Sequence, residues 1–130
     1  MKSETATIAV LVATYLSIIL VAIFGSAAVV AALVAANRVQ GVAEMAVLFA
    51  HDRSVELGVP DSAELTVELE QFLSLAPSAQ ALELVAVDSY GTGAVSTARI
   101  CARYLNPLGV GIDSAIICTE SRAESFLIVK

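Results

Sequence analysis

The sequence predicts an α+β protein: a long amino-terminal transmembrane helix followed by a small head with one helix packed on an antiparallel sheet. Three observations lead there. Residues 5–36 form an uncharged run of 32 positions. Asp61-Ser62-Ala63-Glu64 has capping-box spacing directly after Pro60 and opens an amphipathic stretch. From Leu82 onward the chain turns valine-rich and alternating, with glycine punctuation.

Composition locates the unusual part. The chain has 130 residues, is 58% hydrophobic and 15% charged, and carries a net charge of −6. That length supports one modest folded unit beyond the helix. A chain this apolar is not disordered. Its pI near 4.5 leaves no basic face for a phosphate backbone, so no nucleic-acid partner is expected. Residues 37–130 hold 12 acids and 6 bases, an ordinary acidic balance. The apolar excess therefore sits in residues 5–36.

As a helix that run is roughly 48 Å long, against about 30 Å of bilayer hydrocarbon. No polar face recurs at the helical period between Ile8 and Ala36, which separates it from a soluble core helix. A cleaved signal peptide is the rival reading, with Val34-Ala35-Ala36 as its cleavage site, but its apolar region should span only about 7–15 residues. Past Ala36, Val39, Val42, Ala43, Ala46, Val47 and Ala50 keep an apolar stripe at helical spacing, and no proline intervenes before Pro60. One helix is expected over residues 4–56, ending near Gly58-Val59-Pro60. The resulting division is an anchor and neck over 1–58 and a head over 59–130.

Gly25, Ala28, Ala32 and Ala36 fall on one face of the helix. Small residues at this spacing let helices approach closely in lipid, although alanine is also common in any apolar helix. Thr5, Thr7, Thr14 and Ser17 can bond their own helix's carbonyls and so demand no partner.

In the head, Leu65, Leu69, Phe72, Leu73 and Ala76 mark one face of a helix of about 14 residues that Pro77 ends. Its polar face is acidic, which suits packing on a sheet rather than lying on a membrane. Residues 82–88 read as a strand, Tyr90-Gly91-Thr92-Gly93 as a turn, and residues 94–104 as an alternating strand. Residues 106–111 read as a loop, 114–119 as a strand and 126–129 as a last strand.

Cys101 and Cys118 each fall inside an expected strand, with sixteen residues between them. Neighbouring strands would let the sulfurs meet, and outside the cytoplasm a disulfide closing this loop contributes roughly 3 kcal/mol. In a reducing compartment the same pair would be buried thiols. The positive-inside count is nearly tied, Lys2 before the span against Arg38 and Arg53 after it. The cysteine pair favours a head outside the cytoplasm. His51 reads as a surface or neck residue, and Glu64, Glu68 and Glu70 as a solvated face. Hydrolase, phosphate-loop and metal-ligand spacings are absent. No enzyme activity, cofactor or metal is expected.

A long amino-terminal apolar helix carrying a small α+β head resembles pilins and pseudopilins. Ser3-Glu4-Thr5-Ala6-Thr7-Ile8-Ala9-Val10 resembles the start of TadE-like proteins of tight-adherence (Tad/Flp) pilus systems. Asn37-Arg38-Val39-Gln40-Gly41-Val42-Ala43-Glu44-Met45-Ala46 is similar to that family's Arg-x-Gln-x-x-Ala-acidic-x-Ala motif at the helix exit. The cysteine-bearing strands and Arg122 fit the actinobacterial type. The likeness covers about the first 50 residues well and the head loosely.

The resemblance implies a minor pilin or pseudopilin-like subunit in the plasma membrane, with its head outside. Its partners would be other pilin-like subunits along the Gly25/Ala28/Ala32/Ala36 face, an inner-membrane pilus or secretion platform, and the lipid bilayer. Arg38, Gln40 and Glu44 would make neck contacts. Pilins use an acid near the start of the helix to meet a neighbour's amino terminus. Glu4 precedes the helix and residues 7–36 contain no acid, so Glu4 would substitute as the assembly acid only with the terminus suitably placed by processing. A prepilin peptidase site needs a glycine or alanine after a basic leader, and Met1-Lys2-Ser3 supplies neither. The alternative function is a single-pass, membrane-tethered binding or accessory protein that never enters a filament.

Overall fold

The computed structural model describes residues 2–56, 58–106 and 114–125. Most of the expected 106–111 loop and the last strand at 126–129 lie outside the described residues. Helix α1 (Lys2–Ser54) takes up 53 residues, about 80 Å of rise. Its two halves meet different surroundings. Toward the amino terminus, Ile8, Leu11, Tyr15, Phe24 and Leu33 are each more than half exposed. The chain thus has a helix long and apolar enough to cross a membrane. Thr14 and Ser17 donate to the carbonyls of Val10 and Ala13, as their type predicts.

From Val39 onward the same helix is core. Val39, Val42, Ala43, Ala46, Val47 and Ala50 are almost fully buried. They pack with Leu65, Leu69 and Leu73 from one element, and Ala98, Ile100 and Ala102 from another. The hydrophobic core therefore runs across residue 58, where the sequence reading divides anchor and neck from head. The helix also stops at Ser54, two residues before its expected end. Val55–Glu56 (β1) turns back to pair with Val59–Pro60 (β2). Gly58 makes that reversal at φ +85°, a left-handed conformation that favours glycine.

Helix α2 (Ser62–Leu75) starts where its cap predicts. The Asp61 carboxylate accepts from the amides of Ala63 and Glu64 at 2.8 and 3.0 Å. Asp61's own amide donates to the Ser54 carbonyl, tying α2 to the end of α1. Its buried residues Leu65, Leu69 and Leu73 follow the four-residue spacing. Pro77 does more than end α2: it opens one further turn, α3 (Pro77–Gln80).

Strands β3 (Glu83–Thr92), β4 (Val95–Leu105) and β5 (Ser114–Glu124) form an antiparallel meander with β4 central. Ala98, Ile100 and Ala102 face the core, as their alternation predicts. Two helices cover this face instead of one, α1 against β4 and β5 and α2 against β3. The stripe at residues 39–50 is what makes α1 the second cover.

The expected four-residue turn is in fact two residues. Thr92 pairs with Val95 across Gly93-Ala94, and Gly93 adopts φ +60°. Gly91 belongs to β3, paired with Ser96, and Pro60 and Ser62 press against it. A Cβ there would come within 3.1 Å of Pro60 Cγ. Strand β5 runs five residues past its expected end, to Glu124, which pairs with Val95.

Candidate functional site

Gly25, Ala28, Ala32 and Ala36 continue into Val39, Ala43, Ala46 and Ala50 at spacings of three and four. The small-residue face is thus the extension, into the exposed apolar half of α1, of the face that carries the core. Ala28, Ala32 and Ala36 are half-buried within the single chain, whereas Gly25 is exposed with open space at its Cα. A helix seated on this seam would approach beneath the sheet. Glu4 lies in the first turn of α1, about 50 Å along the helix from Arg38.

The three expected neck residues separate. Gln40 Nε2 donates to Glu44 Oε1 at 2.8 Å across one helical turn. This pair lines a shallow depression with Leu48, Glu120, Ser121 and Arg122. There Arg122 donates to Glu120 at 2.8 Å, and that bond, with the carboxylate charge, raises its pKa above the ordinary arginine value. Arg38 points to a different side of α1 and makes no hydrogen bond or ion pair among the described residues.

Arg38 borders a cleft of about 390 Å³ between the exit of α1 and the lower end of the sheet. Ala31, Val34, Ala35 and Val39 form the helix wall, and Leu82, Ala102, Tyr104 and Leu105 line the other side. Glu83 and Arg103 stand at the rim, joined by an ion pair at 3.4 Å. The Tyr104 hydroxyl is buried and has no hydrogen-bond partner among the described residues. Such an unpaired group costs about 1–3 kcal/mol. A second apolar cavity of about 330 Å³ shares Arg38, Ala81 and Leu82 with the first and adds Gly41, Val42, Met45 and Ser78. Arg38 therefore stands between two cavities at the level where the apolar run ends.

Sequence reasoning missed Tyr104. The one available signal was register, since Tyr104 continues the inward series Ala98, Ile100, Ala102. It also did not foresee the partners of His51, which lies in the neck part of α1 and is half-buried. The His51 ring sits 2.7 Å from Ser96 Oγ and 2.9 Å from Ser125 Oγ, bridging the end of α1 to both β4 and β5. Ser96 is fully buried. Glu68 is likewise more than a solvated acid: it pairs with Arg53 at 3.4 Å, and Arg53 stacks 4.3 Å from the Phe49 ring centroid.

Cys101 and Cys118 are directly opposite in the β4–β5 ladder and joined by a disulfide. They lie on the sheet face away from the helices. On that face Arg99 stands opposite both Asp88 and Glu120, a cross-strand ladder of alternating charge. Among the described residues no three histidine, cysteine, aspartate or glutamate side chains converge to hold a metal ion. The chain matches no family model, no curated protein and no solved structure.

Proposed function

We propose that the chain is a non-enzymatic, membrane-anchored subunit of the minor pilin or pseudopilin kind, serving a Tad-type pilus or secretion apparatus. One observation carries this reading. A single unbroken helix is apolar and exposed over its first half, then becomes the core of a sheet-bearing head over its second. That arrangement suits a subunit that packs beside others through its helix while displaying its head. The Arg38-to-Ala46 motif and the disulfide-bearing head, stable in an oxidising compartment, support the same reading. The head then lies outside the plasma membrane, and the small-residue seam receives the neighbouring helix.

Oxidative cross-linking tests it. Gly25→Cys, Ala28→Cys and Ala32→Cys each add a free thiol to a chain whose own cysteines are paired. In native membranes the proposal expects adducts with a second copy or with another pilin-like subunit. Monomer alone at all three positions would instead favour a tethered binding module that does not enter a filament. The cleft beside Arg38 is the observation that favours this second reading.

A further inference from the structure

We propose that the cleft at the helix exit is a binding site for one anionic phospholipid of the surrounding leaflet. This rests on the anchored reading of α1. The strands run along the helix: from Ser96, beside His51, to Tyr104 is about 27 Å of strand. From His51 down to Val34 is about 26 Å of helix. The lower end of the sheet therefore reaches the last turns of the apolar run, where Ala31, Val34 and Ala35 form one wall. The uncharged run exceeds the hydrocarbon thickness by roughly 18 Å, and with that excess shared between its two ends those turns fall in the headgroup layer.

The chemistry of the cleft matches an amphiphile entering from that layer. Its lower wall is apolar, fitting glycerol and the first methylene groups. Arg38, uncommitted among the described residues, supplies a guanidinium fork suited to phosphate. The Tyr104 side chain adds to the cleft wall, with its hydroxyl enclosed by the protein. Glu83 and Arg103 neutralise each other at the rim, so the cleft carries one net positive charge on a protein of net charge −6. That local sign selects an anionic headgroup over a zwitterionic one. The phosphate accepts from Arg38, and the acyl chains leave along α1 into the bilayer.

The test uses the full chain in nanodiscs of mixed phosphatidylglycerol and phosphatidylcholine, released into native mass spectrometry. One phosphatidylglycerol retained per chain is expected. Arg38→Gln should lower the retained fraction about tenfold, the loss of one charge-assisted hydrogen bond. Arg122→Gln, on the far sheet face, should leave it unchanged. Circular dichroism and an intact disulfide establish that each variant is folded. Equal retention of both lipids, or retention indifferent to Arg38, would overturn the proposal. So would displacement by millimolar inorganic phosphate, which would mark a site for a soluble anion. A chain that fails to enter nanodiscs refutes the anchored reading and the lipid site with it. One that enters and retains no lipid refutes the lipid site alone.

Discussion

His51 reaches across 45 residues to Ser96 and 74 residues to Ser125, and so closes the upper end of the head with one ring. Neutral imidazole offers one donor and one acceptor, and each serine hydroxyl can take either role, so the network is satisfied in either tautomer. His51→Ala should destabilise the protein by about 1–3 kcal/mol, because the Ser96 hydroxyl then loses its partner in a buried place. Urea unfolding of the detergent-solubilised chain checks this as a lower midpoint at unchanged slope. Gly91→Ala is expected to cost a similar amount, about 1–3 kcal/mol, since the added methyl meets Pro60 and Ser62 at 3.1–3.3 Å. An unchanged midpoint for this variant would show that β2 can move away from β3. Neither contact was legible in the sequence. Histidine beside aspartate on a helix says nothing about two serines in distant strands. Glycine two residues before a turn glycine reads as part of that turn.

At the scale of elements, legibility followed local chemistry. Asp61 and Pro77 bracket α2 because a cap and a missing amide act within one turn, and the helix begins and ends where they place it. Asp61→Ala should cost about 1 kcal/mol, visible as faster amide exchange at Ala63 and Glu64, whose hydrogen bonds it removes. The second half of β5 behaved differently. Glu120-Ser121-Arg122-Ala123-Glu124 has little strand propensity, yet it extends the ladder because Ser121 and Ala123 are small enough to pass under α1. Tertiary pairing overrode local preference there. The disulfide at the middle of that ladder should contribute roughly 2–5 kcal/mol. Reduction ought therefore to lower the unfolding midpoint. An unchanged midpoint would show that the ladder hydrogen bonds suffice.

For the molecule as a whole, the uncharged run announced the exposed half of α1, while the stripe at residues 39–50 announced a buried face without naming what covers it. What covers it is the head itself. A fragment of residues 37–130 should therefore fold and remain soluble, whereas residues 59–130 should not. The shorter fragment lacks Val39, Val42, Ala43, Ala46, Val47 and Ala50 from its core. Proteolysis and one-dimensional NMR of the two fragments separate the outcomes, and a well-folded 59–130 fragment would make the neck dispensable. The unbroken helix also has a mechanical consequence. With no hinge along α1, the head acts as a lever fixed to the axis of the apolar half, an axis that crosses the bilayer on the anchored reading. A tilt of 20°, ordinary for a spanning helix, would swing the far end of a 30 Å arm by about 10 Å. Bilayer thickness would then steer where the head points, and a sideways force on the head would be felt as torque within the membrane.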